Sequence, residues 1–221
     1  MHLSKTEFIA LIVALFVGLH FYNKYQMDNS SDIPESDQPV YIHDGKTPVI
    51  VAFGDSLTAG TGAGQNTGYP AQLSQMLGID VINAGVSQER SSDAARRIGS
   101  VLNRYHPDIV LIEIGFDDIT SGRKRSTIAD NLLKIIKAVK KSGATPIVIG
   151  IPDPDLIEMM IATDLGFYEE AARKTGALYI PDVFGSVLKN EELKSGFTYP
   201  NAKGYRKAAE TVYHFLTERV L

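Results

Sequence analysis

Val49-Ile50-Val51-Ala52-Phe53-Gly54-Asp55-Ser56-Leu57-Thr58-Ala59-Gly60-Thr61-Gly62 decides the fold of this chain. Five consecutive apolar residues with no alternating polar face read as a strand buried on both sides, as in a parallel sheet covered by helices. Gly54 and Asp55 break the run and leave Ser56 in the turn just past the strand's carboxyl end. In an open parallel sheet ligands bind at that end, because the strand tops and the loops above them form the crevice. Position alone makes Ser56 a candidate nucleophile; the alternative is a serine that only caps the following turn.

Outward from this stretch, apolar runs of strand length recur at 81–84, 109–114, 146–151 and 177–180. Helical patterns lie between them, at 70–77, 92–106, 127–142, 156–175 and 202–220. The third is the clearest: Ile128, Leu132, Ile135, Ile136 and Val139 share one face, Thr127 and Asp130 stand at capping-box distance, and Gly143 is a stop. Five strands alternating with helices predict one α/β domain over 47–221, a three-layer α/β/α arrangement around a five-stranded parallel sheet.

The 46 residues ahead of that domain read differently. From Phe8 to Tyr22 the chain is apolar and uncharged; fifteen residues at 1.5 Å each give about 22 Å, against roughly 30 Å of hydrocarbon. Extension to Leu3 and Tyr25 makes a span, with Tyr22, Lys24 and Tyr25 at the interface. No small-x-small cleavage pair follows, so residues 1–25 are expected to be an uncleaved signal-anchor helix with the domain on the extracytoplasmic side. Residues 26–46, rich in Asp, Ser and Pro, read as a tether. A net charge of −4 gives no basic footprint for nucleic acid, and zero cysteines exclude disulfides and thiolate metal sites.

Gly54-Asp55-Ser56-Leu57 followed by Thr58-Ala59-Gly60 resembles the first block of the GDSL or SGNH hydrolases, serine esterases, lipases, thioesterases and carbohydrate deacetylases. Later segments fall in that family's order as far as the C-terminus. The resemblance implies a flavodoxin-like SGNH hydrolase fold, no cofactor or metal, and an acyl ester or acetylated glycan as ligand. It also implies a serine in the first block, glycine and asparagine donors to the oxyanion in the second and third, and an Asp-x-x-His pair in the last.

Each of those places can be read here. Ser56 stands at the nucleophile position, with Asp55 beside it in the oxyanion and substrate-binding set. In Val81-Ile82-Asn83-Ala84-Gly85-Val86-Ser87-Gln88 the glycine donor falls on Gln88, or on Gly85 if the alignment shifts by one gap; a backbone N–H survives either way. Glu113-Ile114-Gly115-Phe116-Asp117-Asp118 places Asp117 where the family has asparagine. An ionised aspartate has only acceptors, and loss of one oxyanion donor costs about 2.7 to 4 kcal/mol. A second negative charge about 4 Å from the oxyanion adds roughly 4 kcal/mol at an effective dielectric near 20. Only a protonated Asp117 would restore a donor; the plainer reading is an acid that caps the next segment.

The last block departs furthest. Ser195-Gly196-Phe197-Thr198-Tyr199-Pro200-Asn201 keeps the Pro-Asn surroundings, but Tyr199 stands at the histidine position and Gly196 at the aspartate position. The five histidines, His2, His20, His43, His106 and His214, fall in the anchor, the tether, a helix end and the last helix, away from Ser56. The expected protein is therefore a membrane-anchored member of an ester-hydrolase lineage with lost or residual serine esterase activity, and an envelope protein as its partner if its role is structural. The alternative is an active esterase, lipase, thioesterase or deacetylase with a rewired base. Arg123-Lys124-Arg125 reads as a solvated loop or a surface for an anionic head group. Asp117, Asp118, Asp153 and Asp155 read as loop acids rather than a hard-metal site.

Overall fold

The structure, a computed structural model, describes residues 46–153, 164–196 and 198–221. The anchor helix and all of the tether up to residue 45 lie outside the described residues, and among the described ones no helix is long and apolar enough to cross a membrane.

The apolar runs form a parallel five-stranded sheet: β1 (Ile50–Gly54), β2 (Val81–Gly85), β3 (Ile109–Glu113), β4 (Thr145–Ile149) and β5 (Leu178–Ile180). Their order is β2-β1-β3-β4-β5. Ile50 stands level with Val81 on one side and Ile109 on the other. Every residue of β1 and β3 is buried, which is why both runs are apolar up to Glu113 at the end of β3. Edge strand β2 is only partly covered and admits Asn83.

Helices form both outer layers. After the four-residue α1 (Ser56–Ala59) come α2 (Tyr69–Leu77), α3 (Ser91–Tyr105), the short α4 (Phe116–Thr120), α5 (Arg125–Lys141), α6 (Phe167–Thr175), the single turn α7 (Gly185–Leu188) and α8 (Ala202–Arg219). α2 packs against α8, and α5 packs against both α3 and α6. The capping box expected at Thr127 does not form: α5 starts two residues earlier with Lys124 as N-cap and no side chain capping it. Of the helix expected over 156–175, only Phe167–Thr175 forms among the described residues: Asp164 pairs with Pro152 in an isolated antiparallel bridge instead, and residues 156–163 lie outside the described residues.

Two features put the site where it is. The order reverses at β1, whose neighbours β2 and β3 lie on opposite sides, so the loops after β1, β2 and β3 converge at one crevice. At the end of β1 a side chain is impossible: a Cβ on Gly54 would lie 1.8 Å from the Glu113 carbonyl oxygen. A small antiparallel pair, β6 (Lys194–Ser195) and β7 (Tyr199–Pro200), was not evident from the sequence and brings Tyr199 to the same crevice.

Candidate active site

Ser56 opens α1, whose N-cap Asp55 accepts the Leu57 N–H. Asp55 does more than cap. Its Oδ2 accepts the amides of Gly115 at 2.9 Å and Asp117 at 3.2 Å, which ties the loop after β3 to the loop after β1. The side chain is wholly buried, so Asp55, carried from the sequence with the substrate-binding set, is a brace beneath the site in this conformation. Burial, and then the charge of Asp117, push its carboxyl up to about 7 against the pull of those three amides. Glu113 is a second buried acid. Its Oε2 accepts the Thr58 amide at 3.0 Å and hydroxyl at 2.7 Å, while Oε1 has no partner among the described residues. Burial, with Asp55 next, raises its carboxyl well above the usual range.

Around the Ser56 hydroxyl the second block closes in. The Gln88 amide donates to Ser56 Oγ at 2.8 Å. Gln88 is left-handed, with φ of 62°, a conformation that glycine adopts freely and other residues rarely do. Gly85 does not compete for this role, since its N–H donates to Asn83 Oδ1 at 2.9 Å. Gly85 is required for another reason: a Cβ there would lie 2.3 Å from the Ala59 amide nitrogen. Ser87 was not singled out in the sequence although it adjoins Gln88. Its hydroxyl lies 3.3 Å from Ser56 Oγ and 2.9 Å from Thr61 Oγ1.

The third and last blocks meet on the other side. Asp117 Oδ2 accepts the Ser56 amide at 3.1 Å, and Asp117 Oδ1 accepts the Tyr199 hydroxyl at 3.2 Å. Asp117 thus does not cap the next segment; it binds the amide that an ester oxyanion would need. Burial raises the Tyr199 phenol above its ordinary value, a hydrogen bond with Ser56 lowers it in part, and the charge of Asp117 raises it again. A phenol shifted that way stays protonated at neutral pH and keeps the hydrogen it donates to Asp117. Gly196 contributes no side chain; it takes a left-handed turn with φ of 69° between β6 and β7. Asn201 caps α8, accepting the amides of Lys203 and Gly204 and donating to Glu192 O and Lys194 O, which holds the β6–β7 pair in place.

The outcome is a serine with no exposed surface, enclosed by Ser87, Gln88, Asp117 and Tyr199. Of the histidines, His106 is exposed at the amino end of β3 and His214 is exposed on α8, both away from Ser56; the other three lie outside the described residues. Asp118 is turned away, its carboxylate accepting the Ser91 amide at 2.6 Å and hydroxyl at 3.3 Å. Asp153 pairs with Arg125 at 3.0 Å, and Asp155 lies outside the described residues. Among the described residues no cluster of three acids or histidines that would hold a metal exists. A cavity of about 700 Å³ lies at the amino end of the sheet beside Pro48 and Ile79, at the opposite end of the strands from Ser56.

Residues 52–207 match the sequence model of the GDSL-like lipase/acylhydrolase family. The chain belongs to that family. Among curated proteins it is 32% identical over 110 residues to an arylesterase of Vibrio mimicus, covering 48% of this chain and 55% of that protein. It is 29% identical over 107 residues to thioesterase 1/protease 1/lysophospholipase L1 of Escherichia coli, covering 48% and 51%. The chain spans about half the length of the curated relatives it matches. Among solved structures, the psychrotrophic esterase EstA from Pseudoalteromonas sp. superposes with a TM-score of 0.69 at 23% identity, over 78% of this chain and 98% of that one. The SGNH-hydrolase family esterase AlinE4 superposes at 0.60 with 26% identity, over 80% and 98%. Together these place the three-layer α/β/α domain in the SGNH fold.

Proposed function

We propose that this chain carries an SGNH domain whose serine esterase activity is lost or residual, held at a membrane by residues 1–25 and displayed on the extracytoplasmic side, where it binds an acyl ester or acetylated glycan or a protein of the envelope. One observation carries the loss of activity. The Ser56 amide, which would donate to an oxyanion, instead donates to the Asp117 carboxylate, and Ser56 itself has no exposed surface. Ester hydrolysis needs a base, a group that orients it, and donors aimed at developing negative charge. Here the base position is a protonated phenol, the orienting position is Gly196, and a carboxylate occupies the donor site. Removing such groups from a comparable serine hydrolase lowers turnover by on the order of 10⁴ to 10⁶. The test is turnover of short-chain p-nitrophenyl esters by the full chain beside Ser56→Ala. Equal background rates support the reading; robust turnover that vanishes in Ser56→Ala defeats it.

The continuous contact Ser56–Tyr199–Asp117 supports a second reading, an active ester hydrolase in which Tyr199 passes the serine proton to Asp117. It requires Ser56-dependent turnover that Tyr199→Phe abolishes. The membrane placement is tested separately, by whether the full chain sediments with membranes and is released when residues 1–25 are removed.

A further inference from the structure

The loops that close over Ser56 continue into a second concavity. A cleft of about 360 Å³ is lined by Arg90, Ser92, Asp118, Arg123, Lys124 and Thr127. Arg90 comes two residues after Gln88, and Arg123 and Lys124 follow α4, which carries Asp117 and Asp118, so the cleft adjoins the candidate active site along both loops.

Its charge is not the background of this chain, which is acidic overall at −4. Three exposed cations from two loops face one concavity, where they repel one another unless an anion is present. Arg97 pairs with Glu89 and Arg125 with Asp153, but Arg90, Arg123 and Lys124 have no ion pair among the described residues. Asp118, the one acid in the lining, is 4% exposed and holds Ser91 with both oxygens. α5 begins at the rim with no side chain capping its first amides, which adds to the positive field. Ser92 and Thr127 supply hydroxyl donors. Two planar guanidinium groups beside hydroxyls match an oxyanion with several acceptor oxygens better than they match a neutral glycan.

We propose that this cleft binds a phosphate group. It does so whether Ser56 is reactive or not, so the failure of one reading leaves the other standing. The test is a titration of the full chain and of Ser56→Ala with inorganic phosphate and with glycerol phosphate at low salt, followed by the extra sedimentation that anionic phospholipid adds over zwitterionic vesicles, insertion of residues 1–25 being the background common to both. Arg90→Gln and Arg123→Gln, on separate loops, are each expected to weaken binding by about tenfold or more, and their combination to abolish it. Lys141→Gln, an equal loss of charge at the far end of α5, is expected to change nothing, and the thermal melts of these exposed-site variants to match the wild type. Binding to free phosphate without that anionic increment assigns a soluble phosphate; an increment competed by phosphate and lost in the double variant assigns a lipid head group. No saturable binding in either arm overturns the proposal, as does binding that Arg90→Gln and Arg123→Gln leave intact or that Lys141→Gln weakens equally.

Discussion

Asp117→Asn isolates the feature that sets this site apart. The carboxylate lies 3.1 Å from the Ser56 amide, so an oxyanion accepting from the same N–H would form about 4 Å from that charge, at roughly 4 kcal/mol of repulsion for an effective dielectric near 20. Asparagine removes the charge and offers an N–H₂ donor worth about 2.7 to 4 kcal/mol. Among the described residues no histidine stands beside Ser56, so the variant should stay far below a complete triad. An oxyanion hole alone nevertheless retains about 10³ to 10⁴ over water in a serine hydrolase stripped of its triad. Asp117→Asn is therefore expected to raise Ser56-dependent hydrolysis of p-nitrophenyl acetate by about 10² to 10³ over the wild type. A second readout is independent of catalysis. The charge of Asp117 raises the buried Asp55 and Glu113 carboxyls, so its removal should raise the melting temperature at pH 8. An Asp117→Asn protein that hydrolyses no faster than wild type and melts no higher refutes both parts of the reasoning.

The buried acids also set how stability follows pH. Asp55 rises from 3.8 to about 7 on folding, so between those values the folded chain binds more protons than the unfolded one and stability falls as pH rises. Glu113 acts in the same direction. The loss is of the order of a few kcal/mol at 1.36 kcal/mol per pH unit; melting temperatures from pH 4.5 to about 8 should fall, and Asp55→Asn should flatten the curve. Gln88→Gly should stabilise the chain by about 1 kcal/mol, because φ of 62° strains glutamine and not glycine; a melt lower than wild type contradicts this. Gly54→Ala should cost about 4 kcal/mol or more and yield little folded protein, since its methyl group meets backbone at 1.8 Å; wild-type solubility and melting would disprove the close approach.

The sheet was legible because its central strands are buried on both faces, which makes β1, β3 and β4 nearly unbroken apolar runs. All five expected strands form, within one or two residues at each end, and the long helices follow their periodicity. What the sequence hid is short or non-local. The four- and five-residue helices α1 and α4 are too brief to show a period, and the two-residue strands β6 and β7 pair across a glycine turn. The site was legible as a set of substitutions in recognisable blocks, since Ser56, Gln88, Asp117 and Tyr199 do meet in one crevice. Its wiring was not: that Asp117 faces the Ser56 amide, that Ser87 touches the serine, and that Asp55 is a brace all depend on which way loops from three strands turn. Those directions are fixed by contacts such as Asp55 with the Gly115 amide, which join residues about 60 apart.

The central claim, that Ser56 is enclosed and unactivated, is most directly tested by incubating the full wild-type chain with a fluorophosphonate at neutral pH and reading intact mass. No adduct on Ser56 is the predicted result. A stoichiometric adduct, absent in Ser56→Ala, would contradict it.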